Sequence, residues 1–442
     1  MTLALAGGTV VTSLNPASVT VGTVLVDEGR VVSVGDGTTT GDERIDCTNA
    51  LVIPGNVCGH HHLYSSLARG MPYRLEPPAD FVQILQRVWW RLDRALDAPA
   101  VWLSAWSGGA DALLAGTTTI VDHHASPNAI EGSLAQVGSA LEALGVRSVL
   151  CYEVTDRDGL DRAADGIQEH RRFAKEGASL ARALVGAHAS FTLSEETLRA
   201  CVDLATELDT GLHVHVAEDA ADEADAEARF GRRVVERLAD AGALTERTLL
   251  AHAVHVDERE RELIRASGAW VVHNARSNMT NRVGRAPVGE LGQNVALGTD
   301  GIDGDLFAES AAAFRRARED DPAVQPSWTL ERVAASARFV AETVGEPLLG
   351  RIESGAPADL VVLQYDPPTP IEDGNLADHW VYGLSAAHVR DVVVNGEVVV
   401  RDRRLARGDE HEQRARARES ADALWHRMDA IPAHTFVPAG GA

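Results

Sequence analysis

The sequence has little cysteine, almost no lysine and no long apolar run. Its four cysteines, Cys47, Cys58, Cys151 and Cys201, stand far apart and form no C-x-x-C pair. That excludes a disulfide framework and a thiolate zinc site, and leaves them as buried fillers. No segment reaches the apolar length that spans a bilayer, and the start "MTLALAGGTVVTSLNP" lacks the basic flank of a signal peptide, so the expected location is the cytoplasm. Positive charge is also short. Lys and Arg number 41 against 65 Asp and Glu, a net charge of −24 at pH 7. Such a balance argues against a nucleic-acid or anionic-membrane partner and for a small-molecule ligand. The rest is ordinary globular composition, and 442 residues suffice for two compact domains or for one barrel with an accessory layer.

From Leu3 to Ile53 short β-rich runs, "TVVTSL", "VGTVLVDEG" and "RVVSVGDG", alternate with Gly, Asp and Asn turn signals, the pattern of an antiparallel sheet. The other end has the same texture. "DLVVLQY" and "VRDVVVNGEVVVRD" are Val-rich, the latter with an Asn395-Gly396 hairpin turn. The two ends are expected to form one small β-sandwich, residues 1–53 and 351–405, with a helical extension over 406–442. Between them, over 54–350, apolar runs alternate with segments of helical period such as "SLAQVGSALEALG", which implies parallel βα units. The expected strands are "LVIPGNVCGHHH", "TTTIVDHH", "RSVLCYEV", "ALVGAHASF", "GLHVHVAED", "TLLAHAVH", "AWVVHNARSN" and "VALGTDG". Nearly all start apolar and finish in His, Asp, Glu or Asn. This is the signature of an α/β fold of the (β/α)8 TIM-barrel type, whose active site lies on the C-terminal ends of its strands.

Residues two apart in a strand share a face, so His60 and His62 converge while His61 turns away. His213 and His215 share a face in the same way, and His215 lies nearer the mouth. With Asp300 of "LGTDG", these imidazoles make a nitrogen- and oxygen-rich site suited to Zn2+ or Fe2+. Glu218 lies just past its strand and can reach the mouth as a proton shuttle. Glu223 and Glu227, in the acidic start of the next helix, read as surface groups. His252 ends the sixth strand and is placed to polarise the atom under attack, whereas His255 is expected to be structural. His188 could contact substrate or support the site from behind. Glu153, Asp156 and Asp158, with Arg157, follow the third strand and are candidates for recognising a cationic guanidine or amidine edge. Phe81, Trp89 and Trp90 fall in "FVQILQRVWWRLDRAL", whose helical period predicts burial as core, with a wall for a flat heterocycle as the alternative.

Together, His60-x-His62, His215 with Glu218, His252 and Asp300 resemble the metal-dependent amidohydrolase superfamily in its mononuclear deaminase and chlorohydrolase branch. "PGNVCGHHHLYSSLARGMP", "VWWRLDRALD", "CYEVTDRDG", "AHASFTL" and "HNARSNMTNRVG" are similar to the SsnA-type aminohydrolases. The resemblance runs along nearly the whole chain and implies metal ligands at His60, His62, His215 and Asp300, with Glu218, His252 and Asp300 in catalysis. Ala275 stands where relatives commonly carry proline, and His61 occupies a variable position. Binuclear members need a bridging carbamylated lysine, but the only lysine, Lys175 of "RRFAKEGAS", is in a helical segment away from any strand end, so one metal is expected, Zn2+ ahead of Fe2+.

The implied reaction is hydrolytic deamination of an amino-substituted N-heterocycle, such as a purine, pterin, triazine or cyclic guanidine, with a metal-bound hydroxide as nucleophile. Asp300 would take the proton of the water, Glu218 would protonate the ring nitrogen and His252 would stabilise charge on oxygen. Opening of a cyclic amide or imidazolone is the alternative, and a non-catalytic metal-containing scaffold is a second. The H-x-E and P-C-x-x-C signature of nucleic-acid deaminases is absent. The resemblance also implies a homo-oligomer.

Overall fold

The computed structural model describes residues 2–35 and 41–440. Strands β1 (Leu3–Leu14), β2 (Ala17–Asp27) and β3 (Arg30–Gly35) form an antiparallel meander, while β4 (Glu43–Asp46) and β5 (Leu51–Pro54) run parallel to β1. Asp27 pairs with Arg30 across a two-residue turn, in which Glu28 and Gly29 have φ of 47° and 77°. Positive φ at both positions matches the twist of the flanking strands, so this hairpin closes tightly. The Asp36-Gly37 turn signal after β3 lies outside the described residues.

Next come the strands that carry the site: β6 (Asn56–His61), β7 (Thr117–His124), β8 (Arg147–Tyr152), β9 (Ala181–Ala183), β10 (Val185–Ala189), β11 (Leu212–Val216), β12 (Leu249–His252), β13 (Trp270–His273) and β14 (Val295–Leu297). All eight expected strand segments are present. Hydrogen bonding groups them into two parallel sheets, β6-β7-β8-β9 and β10-β11-β12-β13-β14. The expected fourth strand is in two pieces, because Ala181–Ala183 pairs with β8 and Val185–Ala189 with β11. The sheets are linked by isolated bridges, His61 to Asp300 and Val154 to Ala187, in place of continuous ladders.

The chain returns through β15 (Leu360–Leu363), β16 (Val389–Val394), β17 (Glu397–Arg401) and β18 (Arg404–Leu405). The Asn395-Gly396 turn is present, with φ of 49° and 79°. β15 pairs antiparallel with β5, so the two chain ends share one sheet of nine strands in the order β18-β17-β16-β15-β5-β1-β2-β3, with β4 on β1. Hydrogen bonding thus joins both chain ends in one sheet. Its core includes Leu3, Val24, Val31, Val52, Val362 and Val393, all at most 1% exposed. Helix Glu410–Asp429 follows the last strand. Beyond it Ile431–Gly440 runs as a strap held by Arg91 Nε to the Ile431 carbonyl (2.7 Å) and by the Phe436 carbonyl to Gln86 Nε2 (2.6 Å). No helix among the described residues is long and apolar enough to cross a membrane.

Two features of the parallel strands aim side chains at one place. In β11, Leu212, Val214 and Val216 pack outward in the main core, which leaves His213 and His215 on the opposite, inner face. In β6 the partner of Cys58 is Ile120 but that of His61 is Asp122, so one strand advances three residues while the other advances two. This bulge turns His60 and His62 inward and sends His61 out, the kind of re-aiming that bulges provide beside active sites. Below the histidines Val57, Val121, Val149, Trp270 and Val272 join Phe339 and Val340 of helix Ser327–Val344 in a separate buried core.

Candidate active site

The inward bulge brings His60 and His62 against His215 and Asp300. His62 Nε2 lies 3.1 Å from His215 Nε2 and 3.2 Å from Asp300 Oδ1, and His60 Nε2 lies 3.6 Å from the same oxygen. His60, His62 and His215 offer ligand atoms that all lie within 4.8 Å of one another.

The other ring nitrogens decide what these atoms are. His62 Nδ1 is 2.6 Å from the His123 carbonyl and His215 Nδ1 is 2.7 Å from the His188 carbonyl. A carbonyl only accepts, so both Nδ1 atoms carry the proton and both Nε2 atoms are bare lone pairs. Two lone pairs and a carboxylate oxygen then face one point, and His60 Nε2 is buried beside them with no hydrogen-bond partner. Burial, reinforced by neighbouring histidines, pushes the pKa of His60 and of His215 well below the ordinary imidazole value. Imidazole lone pairs converging beside a carboxylate oxygen fit a divalent cation, so the donor set passes this test of fit.

Beside this cluster His252 Nε2 is 3.5 Å from Glu218 Oε2 and 3.9 Å from Asp300 Oδ2. Burial, and then the Asp300 charge, push the Glu218 carboxyl well above its usual pKa, which favours its protonated form. Ala217, His252, Ala253 and Asp300 all have positive φ. Non-glycine residues seldom adopt this conformation, and here four of them cluster at the strand ends that form the site.

A cavity of about 270 Å³ opens over these groups. Phe81, Leu85, Trp89, Trp90 and Phe191 are among its lining residues, so the tryptophans face the cavity; Trp90 is also 2% exposed, as a core residue would be.

Other expectations are settled by position. Glu153 and His188 line the cavity; Asp156 and Arg157 do not. Asp156 instead accepts from Ser194 N and Thr197 Oγ1 (2.6 Å each) at the start of helix Glu195–Glu207. Arg157 is buried among Asp93, Glu153 and Asp158, because a guanidinium in the interior needs carboxylate partners. Contact of Asp156 and Arg157 with a cavity-bound molecule is thereby corrected. His255 Nε2 meets the Val283 carbonyl (2.7 Å), the structural role expected of it. Glu223 corrects the surface reading, since it is 5% exposed and accepts from Val234 N, whereas Glu227 pairs with Arg233 at the surface.

Several groups at the site escaped sequence reasoning. Ser277 donates to Asp300, Asn281 Nδ2 to Glu218 Oε1 (3.3 Å), and Asn278 Oδ1 meets His252 Nδ1 (2.8 Å). All three come from "HNARSNMTN", where the i, i+4 spacing of Ser277 and Asn281 was the available signal. Asp222 accepts from Ala217 N and Phe191 N and fixes the end of β11.

Fold and site together define a parallel β/α protein with an imidazole and carboxylate cluster at its strand ends. A model of the amidohydrolase family matches residues 51–399. A 5-methylthioadenosine/S-adenosylhomocysteine deaminase of Haloarcula marismortui is 33% identical over 91% of this chain and 93% of its own. A 5'-deoxyadenosine deaminase of Methanopyrus kandleri is 30% identical over 91% and 94%. Among solved structures, a zinc-bound adenosine deaminase from Xanthomonas campestris superposes with a TM-score of 0.84 at 24% identity, over 97% of this chain and 99% of that one. A zinc complex of atrazine chlorohydrolase from Arthrobacter aurescens TC1 gives 0.81 at 23%, over 95% and 100%. The chain belongs to the amidohydrolase family.

Proposed function

We propose that the protein is a hydrolytic deaminase of an amino-substituted N-heterocycle, with an amino-purine as the leading class, and that it works with one divalent ion, zinc. The observation that carries the reading is the convergence of three imidazoles and the Asp300 carboxylate beneath an aromatic-walled cavity, with the buried Glu218 carboxyl alongside. The deaminase relatives, named for adenine nucleosides, support the same class.

In this reading His60, His62, His215 and Asp300 hold the ion. A divalent ion bound there makes water acidic enough to attack at neutral pH. Asp300 takes one proton from the attacking water as its oxygen bonds to the ring carbon bearing the amine. Glu218 gives its proton to the adjacent ring nitrogen, which makes that carbon electrophilic. His252, within 3.9 Å of both carboxylates, stabilises the charge that builds on the substrate oxygen. The proton on Asp300 then passes to the amine, the carbon–nitrogen bond breaks and ammonia leaves. The remaining hydroxyl proton returns to Glu218 as the carbonyl forms. Trp89, Trp90 and Phe191 give the ring flat faces to lie against.

The same reading takes the two parallel sheets as one eight-stranded barrel, with β9 and β10 counted together; the two isolated bridges and the shared inner core of Val57, Val121 and Trp270 support it. It takes the nine-stranded sheet as curled over its own core into a sandwich, and divides the chain at 1–53, 54–350, 351–405 and 406–442. Ammonia release from amino-purines, pterins, triazines and cyclic guanidines by zinc-loaded protein is the test; a loaded protein silent on every ring class would remove the proposal.

A further inference from the structure

We propose that His213 and Cys151 act as positioning residues, forming a directed hydrogen-bond relay that fixes the tautomer of His60 and so keeps its Nε2 lone pair facing His62, His215 and Asp300. The inference rests on the reading of that cluster as a metal centre. It concerns how the chain prepares one ligand.

His62 and His215 each have a backbone carbonyl behind them, which can only accept and therefore settles their tautomers. His60 is different. Its Nδ1 is 2.8 Å from His213 Nε2, and an imidazole nitrogen can donate or accept. If His213 donated, His60 would carry its proton on Nε2 and could not ligate. The direction must be set further back.

His213 Nδ1 is 3.6 Å from Cys151 Sγ, and that thiol donates to the Asp122 carbonyl at 3.5 Å. The proposed order starts from the Asp122 carbonyl, which can only accept and so takes the thiol proton. The thiol S–H points at Asp122 O, so the sulfur accepts His213 Nδ1–H. His213 Nε2 is then bare and accepts His60 Nδ1–H, and His60 Nε2 is left as a lone pair. That atom is buried with no hydrogen-bond partner, as this ordering requires. His60, Cys151 and His213 are at most 1% exposed, so water does not reverse the chain. The local fold explains the alignment. His213 sits two residues before His215 on the inward face of β11, one layer deeper, and β8 places Cys151 behind it.

The test is the rate at which zinc-loaded protein releases its metal to excess chelator. Cys151→Ala removes the sulfur acceptor and lets His213 reverse, so release should quicken by about 10- to 100-fold. Cys151→Ser keeps a group that accepts from His213 and donates to Asp122, and should restore most of the retention. Equal release from the wild type and Cys151→Ala, or equal loss in the Ala and Ser variants, would overturn the relay. Should Cys151→Ala be too unstable to purify, His213→Leu and His213→Gln make the same comparison. Only Gln leaves an oxygen to accept His60 Nδ1–H; retention equal in the two contradicts the proposal. A wild-type protein that binds no zinc fails the metal reading itself, and the relay falls with it.

Discussion

His62 and His215 face each other across 3.1 Å, Nε2 to Nε2, while the Nδ1 of each is tied to a carbonyl at the end of the neighbouring strand. Neither ring can turn its proton inward without giving up a buried hydrogen bond. The two lone pairs thus face one point with Asp300 and His60 beside them, the arrangement on which the proposed metal site rests.

Removing the ion should expose that design as lost stability. Zinc at about 100 times its dissociation constant should stabilise the native state by about 2.7 kcal/mol, provided the unfolded chain does not bind it. Thermal melts of chelated protein with and without added zinc check this, and an unchanged melting temperature would contradict it. His215→Ala should abolish most of the zinc-dependent shift.

Glu218→Gln should keep the metal and lose on the order of 10²- to 10⁴-fold in turnover, the usual size of a general-acid contribution. The pH dependence follows from the sign of the shift. Burial and Asp300 raise the Glu218 carboxyl, so the donating form is full below its raised pKa and is lost as pH climbs through it. Turnover should fall on that alkaline limb, and the residual activity of the Gln variant should not show the same limb. A Gln variant with wild-type turnover removes Glu218 from the chemistry.

Asp156→Ala separates the sequence expectation from the observed geometry. Asp156 accepts from the N-cap Ser194 and from Thr197 at a helix start away from the cavity, so its loss should cost about 1 kcal/mol in denaturant unfolding and leave the Michaelis constant of the substrate unchanged. Arg157→Leu should cost more, about 3–5 kcal/mol, because it leaves Asp93, Glu153 and Asp158 buried without their shared partner.

The carboxyl groups at the cavity include Glu153, Asp219 and Asp300, with Glu218 and Asp222 raised toward the neutral form by burial, and no lysine or arginine lines it among the described residues. An anionic substituent carried in on the substrate meets like charge, which costs several kcal/mol in a buried setting. Adenosine should therefore be preferred over adenosine monophosphate by about 100-fold or more in kcat/KM. Equal turnover of the two would show that another part of the surface compensates the phosphate.

Where sequence reasoning succeeded, the signal was periodic. Two-residue spacing put His60 with His62 and His213 with His215, and apolar runs ending in polar groups located the strand ends. The bulge in β6 was not legible, because it depends on the register against β7. That the two ends meet was legible in their shared Val-rich texture, but the pairing of β15 with β5, across more than 300 residues of chain, was not. Asp156 and Arg157 misled because charge near a strand end looks alike whether it faces a cavity or closes a buried ion cluster. His213 could be placed on the inward face, but its part behind His60 follows only from the distance between their rings.

The most direct test is a titration of metal-free protein with zinc, following ammonia release from an amino-purine that the loaded protein accepts. The proposed set of His60, His62, His215 and Asp300 around one ion predicts that activity rises in proportion to bound zinc and levels off at one ion per chain. Deamination by the metal-free protein, or a plateau reached only at two ions per chain, would contradict the account.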